Sequence, residues 1–176
     1  LITLDGTFSQ YSVTYHRLML DTYCMAEVWR RHLGLAAFPG RMLMHLQAAT
    51  RWFYSMVRPE NGDAPNLGAS DGARLLQLTD TDYREFRPSV QLATALFWGQ
   101  RAYEADGVWN QPLLWLGVEL PERDFKPGWL DGLDDGGFGV LRRGAVLAVL
   151  RYPRFRFRPS HPDALHIDLW LGGRNL

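Results

Sequence analysis

Three short stretches of the chain gather side chains that can move protons or hold ions. Ser12-Val13-Thr14-Tyr15-His16-Arg17 sets a phenol, an imidazole and a guanidinium in a row. Successive helix positions point in different directions, so one spot cannot receive all three. The same residues also suit a Tyr packed at a helix entry beside a solvated His16 and Arg17. Asn66-Leu67-Gly68-Ala69-Ser70-Asp71-Gly72-Ala73-Arg74 is a glycine-punctuated loop carrying a carboxylate and a guanidinium. It lacks the preceding strand and the Lys-Ser or Lys-Thr ending of a phosphate loop. An Asp71–Arg74 pair bracing a turn would also account for it. His161-Pro162-Asp163-Ala164-Leu165-His166 holds three residues of metal-ligating type. On a regular strand His161 and Asp163 share a face and His166 takes the other. A bulge would have to unite them, and zinc would need a further ligand from elsewhere. His32, near a helix end, and His45, among apolar helix neighbours, read as structural residues.

The totals bound what such residues can serve. The 176 residues leave room for one domain or pieces of two, and 47% are hydrophobic with seven Trp, enough for a packed core. Nineteen basic residues balance nineteen acidic ones. That neutrality gives no basic footprint for nucleic acid. Lys126 is the only Lys, so the basic side chains are otherwise all Arg. A GC-rich genome produces that bias, and it also suits bidentate binding of carboxylate or sulfate. Cys24 stands alone, which excludes an internal disulfide. No apolar run is long enough for a membrane span. The start shows neither an initiator Met nor a signal-peptide pattern, and the end reads as a strand, a turn and the opening of another strand. Both ends are therefore expected to be cut from a longer protein.

Elements must position those side chains, and the chain changes period near its middle. Leu18, Met25, Val28 and Trp29 recur at helical spacing within 11–33, with Gly34 as the stop. A second helix is expected over 41–56, closed by Pro59, and a loop over 61–72. Thr79-Asp80-Thr81-Asp82 resembles a capping box, and a helix is expected over 88–104 with Pro88 in its first turn. One more helical turn is expected over 112–116. Pro, Gly and Asp make 118–137 a linker. Strands 138–141 and 145–152 then flank a turn at Arg142-Arg143-Gly144, and 165–171 alternates as a half-buried strand. Helices followed by strands make an α+β chain of two segregated parts rather than a βαβ fold.

The order of these motifs resembles the heparinase II/III-like family of polysaccharide lyases over nearly the whole chain. Gln10 to Arg17 resembles that family's helix bearing the catalytic Tyr, and Asn66 to Arg74 resembles its Gly-Asp loop between toroid helices. Phe138-Gly139-Val140-Leu141-Arg142 with His161 to Leu169 resembles the opening of its β-sandwich. The resemblance implies the C-terminal part of an (α/α) toroid over 1–117, a linker, and the start of an antiparallel β-sandwich over 138–176, with the substrate cleft between them. It implies β-elimination on a uronic-acid-containing polysaccharide such as a heparin-like, alginate-like or bacterial capsular glycan. A donor neutralises the uronate carboxylate, a base removes the C5 proton and an acid protonates the leaving O4. A Tyr can serve both proton steps once positive charge lowers its pKa from about 10.

By the same resemblance Tyr15 and His161 are the catalytic residues. His16, Arg17, Asn66, Asp71 and Arg74 belong to substrate binding, with His16 and Arg17 lowering the phenol pKa. His161 and Asp163 would hold a structural zinc or other divalent metal, which the chemistry itself does not need. Relatives carry His-x-His-x-Asp where this chain has Pro159 at the first position, a departure that implies a rearranged site. The carboxylate-neutralising Asn or His is expected before this chain and a further zinc-ligand Asp beyond it, so that the fragment alone turns over poorly. A periplasmic or secreted location follows from the resemblance alone. Two other readings stand beside the lyase. One is a non-catalytic protein that binds acidic glycans or assembles them, favoured by Pro159. The other is a glycoside hydrolase pairing Asp71 with Asp163, which would need their carboxylates roughly 5 to 9.5 Å apart.

Overall fold

The computed structural model describes residues 1–128, 132–152, 154–156, 161 and 163–176. Pro159 lies outside them. Four α-helices, α1 (Val13–His32), α2 (Gly40–Met56), α3 (Arg87–Trp98) and α4 (Gln111–Leu116), precede an antiparallel sheet. Its strands are β1 (Gly132–Leu133), β2 (Phe138–Arg143), β3 (Val146–Arg151), β4 (Ile167–Leu171) and β5 (Arg174–Asn175), paired in chain order. The chain is therefore α+β, with helices first and strands after.

Local chemistry sets the helix ends. Ser12, extended at φ −127°, accepts the Tyr15 N–H on its side chain and starts α1, while Gly34 at φ +62° follows its end. Thr79 starts no helix. Its hydroxyl and that of Thr81 hydrogen-bond each other at 2.7 Å and accept from Arg74. The helix expected to run to Glu104 stops at Trp98, because Gly99 takes the left-handed conformation. The Gln91 side chain then captures the N–H groups of Ala102 and Tyr103 at 2.8 and 3.1 Å, replacing the helical partners of those amides.

Helices α1, α2 and α3 pack around Leu20, Leu46, Phe53, Phe86 and Val90, all buried. The stretch expected as a linker is folded onto them. Phe125 is buried against Tyr54 and Trp98, and Arg101 pairs with Asp124 at 2.8 Å. The sheet joins the same core through Phe138, edge-on to Trp52 at 5.3 Å. Among the described residues, no helix is long and apolar enough to cross a membrane.

Both tight hairpins turn on two residues. Gly144-Ala145 joins β2 to β3, one position later than the spacing implies, so Arg142 and Arg143 belong to the strand. Gly172 and Gly173, both at positive φ, join β4 to β5. The alternation of β4 is present, but its faces are reversed from a simple hydrophobic reading. Asp168 and Trp170 point inward, with Trp170 2% exposed, while Ile167 is 65% exposed and Leu169 and Leu171 accompany it outward. Asp168 is tolerated inside because it accepts from the Trp170 indole and the Asn175 amide. Three cross-strand rows consequently make an outer face of mostly aliphatic side chains: Gly139–Leu150–Ile167, Leu141–Ala148–Leu169 and Arg143–Val146–Leu171.

Candidate active site

The start of α1 is where the three chemistry-bearing stretches meet. Ser12 works in two directions, accepting from Tyr15 N and donating to the Ala69 carbonyl at 2.6 Å. Val13 N–H adds a bond to Leu67 O at 3.2 Å. The Asn66–Arg74 loop is thus laid across the helix entry, and the Tyr15 phenol donates to Asp71 Oδ2 at 2.6 Å. On the far side of the loop, Asp163 accepts the Gly68 N–H at 2.7 Å. Gly68 sits at φ +74°, and a Cβ there would lie 2.5 Å from Tyr11 O. Only glycine permits the loop this close approach.

The sheet side holds the same place. Tyr11, at φ +52°, accepts the Arg156 N–H on its phenol at 2.8 Å and meets Phe155 edge-on. Arg151 is buried with its guanidinium over the rings of Tyr11, Phe138 and Phe155, 4.3 to 4.8 Å from their centroids. It donates to the carbonyls of Gly136 and Gly137. Burial pushes its pKa down to about 10, which still leaves it a cation at neutral pH.

His16 and Arg17 do not stand beside the Tyr15 phenol. His16 is 1% exposed, stacked on Trp52 at 4.3 Å and bonded through Nε2 to Ala49 O at 2.9 Å. A carbonyl only accepts, so Nε2 carries the proton. Burial pushes the pKa of His16 down to about 3, and the ring is neutral. Arg17, equally buried, lies between the faces of Tyr83 and Phe86 at 4.4 and 4.6 Å and donates to Tyr83 O at 2.6 Å. Helical geometry turns these two residues into the core and leaves Tyr15 at the surface. Their assignment to substrate contact, and to lowering the phenol pKa, is thereby corrected. The Asp71 hydrogen bond, followed by burial and the carboxylate's charge, raises the Tyr15 pKa, and the same bond lowers that of Asp71. At neutral pH the pair is a protonated phenol on an ionised carboxylate.

The remaining sequence candidates divide. Asn66 is exposed at the head of the loop. Arg74 turns to Thr79 and Thr81, so the brace expected between it and Asp71 is replaced by Tyr15–Asp71. His161 is exposed. Asp163 is committed to Gly68, and His166 Nε2 lies 3.7 Å from Asp168. Among the described residues no group of three His, Cys, Asp or Glu is placed to hold a metal ion. His161 and Asp163 alone do not make a zinc site. Spacing gives no sign of the Tyr15–Asp71 contact, which joins positions far apart in the chain; Gly68, three residues before Asp71, is a local hint that the loop approaches something closely.

No family model, no curated protein and no solved structure matches this chain.

Two outcomes test the geometry directly. Gly68→Ala should destabilise the protein by about 2–3 kcal/mol, since it adds positive-φ strain to a backbone clash. Chemical denaturation measures this, and the Tyr15 phenol should titrate closer to free tyrosine as the loop lifts. Asp71→Asn should leave stability nearly unchanged but lower the Tyr15 pKa, because the carboxylate that favours the protonated phenol is gone. Subtracting the phenolate titration of the Asp71→Asn/Tyr15→Phe double variant isolates that one tyrosine; an unmoved titration refutes the pairing.

Proposed function

We propose that this chain belongs to a polysaccharide lyase that cleaves uronic-acid-containing glycans by β-elimination, with Tyr15 as its proton-transfer residue. The observation that carries the reading is the surface Tyr15–Asp71 pair, set where helix entry, glycine loop and the segment bearing His161 converge. A phenol kept protonated by its partner is equipped to give its proton to the leaving O4. His161, exposed and belonging to the segment that Asp163 ties to the loop, is the base in this scheme. Asn66, exposed on the same loop, is available to the sugar. No step is assigned to a metal.

The finer architecture belongs to the same proposal: the helices as part of an (α/α) toroid, the sheet as one layer of a β-sandwich. The outer face of the sheet supports the second half. A sheet that buries Phe138, Val140, Leu147 and Val149 on one side and carries Leu141, Leu150, Ile167 and Leu169 on the other is patterned for packing on both faces.

A second reading is a glycan-binding protein with a degenerate lyase site. It is favoured because the phenol pKa is raised, whereas a Tyr acting as base needs it lowered. The experiment is ultraviolet absorbance of unsaturated uronate across a panel of acidic polysaccharides. The C4–C5 double bond arises from elimination and not from hydrolysis. Signal on any substrate supports the lyase. Binding without signal across the panel sinks it in favour of the second reading.

A further inference from the structure

Helix α1 presents a stripe along the edge of its buried face. Tyr15, Leu18, Met19, Thr22 and Tyr23 follow one another at helical spacing, and all five line a cleft of about 290 Å³. Its other wall is the N-terminal stretch, held in shape by the antiparallel bridge between Ile2 and Phe8. A larger hollow of about 550 Å³ shares Ile2 and Tyr23 with the first and continues to Arg41 and His45 on α2. Leu1, Ile2 and Tyr23 line both hollows, so the two adjoin along a groove from Tyr15 through Tyr23 to Arg41. Eight residues of helix between Tyr15 and Tyr23 span about 12 Å. A neighbouring helix adds roughly 8–10 Å.

The two ends differ in charge. At the Tyr15 end the carboxylate of Asp71 is occupied by the phenol. At the other, Arg41 is exposed and has no acidic partner among the described residues. His45 spends Nδ1 on the Thr3 carbonyl at 3.2 Å, so that nitrogen carries the proton. Aromatic and aliphatic walls suit the C–H faces of sugar rings, and a free guanidinium suits a carboxylate or sulfate held bidentately.

We infer that this groove is the binding path for an acidic glycan chain, with Arg41 as a specificity-determining residue that grips an anionic substituent several sugars from the bond being cut. The inference rests on the lyase reading for the role of Tyr15, but binding tests it separately. Remote contacts of this kind lower KM for substrates long enough to reach them and leave short ones indifferent.

The probes are size-fractionated oligouronates and the same oligomers with their carboxyl groups reduced to alcohols. Arg41→Gln, a surface change, should weaken binding of long oligouronates about ten- to hundredfold by calorimetry. It should not affect short oligouronates or the reduced series. If elimination is found, KM for long substrates should rise with kcat unchanged. Equal affinity of wild type and Arg41→Gln for long oligouronates overturns the inference, as does failure of wild type to bind them at all. Elimination that depends on Tyr15 but ignores Arg41 removes the groove and spares the lyase. Arg41-dependent binding without elimination removes the lyase and leaves the groove standing as the site of an acidic-glycan-binding protein.

Discussion

Tyr15→Phe should reduce elimination about 10²–10⁴-fold, the usual worth of a positioned acid or base, while oligouronate affinity changes little. The substitution keeps the ring that lines the groove and removes one hydroxyl. Asp71, left without the phenol, still accepts the Ala73 N–H at 3.2 Å and is exposed to water, so no buried charge is stranded. Loss of stability should therefore stay within about 0.5 kcal/mol, and any loss of turnover belongs to chemistry. The pH profile adds a check that folding cannot mimic. The active form is the protonated phenol, so activity should fall on the alkaline side as the phenol ionises. In Asp71→Asn that limb should move to lower pH, because the raised pKa relaxes towards its ordinary value. Turnover that survives Tyr15→Phe, or an alkaline limb unmoved in Asp71→Asn, removes Tyr15 from the mechanism.

Much of the frame was legible because it depends on neighbours in the chain. Apolar recurrences and Gly34 marked α1, and Gly172-Gly173 marked a hairpin. What depended on distant partners was not legible. Gly99 carries the local stop signal of α3, but the amides beyond it are satisfied only because a side chain, Gln91, supplies the acceptor that a helical carbonyl would have offered. Alternation separated the two faces of β4 without saying which is inside, since Asp168 becomes acceptable only once Trp170 and Asn175 reach it. In the candidate site, Tyr15 and its loop were recognisable by residue type. The exchange of partners was not: Asp71 takes the phenol rather than Arg74, while His16 leaves the surface for the rings of Trp52 and Phe53. Pairing of one helix face with another decides that, and a single sequence does not display it.

Asp21 and His16, both buried on α1, should nearly cancel each other's effect on stability through mildly acidic pH, and Asp21→Asn should expose the imbalance. Burial pushes the Asp21 pKa up to about 7, against a Ser89 hydrogen bond and the more distant charges of Arg17 and Arg74 that pull it down. Among the described residues its Oδ2 has no hydrogen-bond partner, and the void beside it, about 10 Å³, admits no more than about one water. Between the unfolded value near 4 and about 7, the folded protein holds a proton on Asp21 that the unfolded chain releases. Stability from this group therefore falls by about 1.4 kcal/mol per pH unit as pH rises through that window. His16 has the opposite sign. Its pKa is depressed to about 3, so between there and the ordinary value near 6.5 the unfolded chain holds the extra proton. Stability from His16 is complete above that window and is lost as pH falls through it. The two slopes oppose each other from about pH 4 to 6.5. With an amide at position 21 the opposing slope disappears. The variant should be more stable than wild type by about 4 kcal/mol at pH 8, the full worth of the Asp21 shift. That advantage should shrink as pH falls from about 7 and vanish near pH 4, because His16 is common to both proteins and the gap follows Asp21 alone. Denaturant unfolding of both proteins at matched pH values measures the gap. A gap independent of pH would show that Asp21 ionises as freely in the fold as in the unfolded chain.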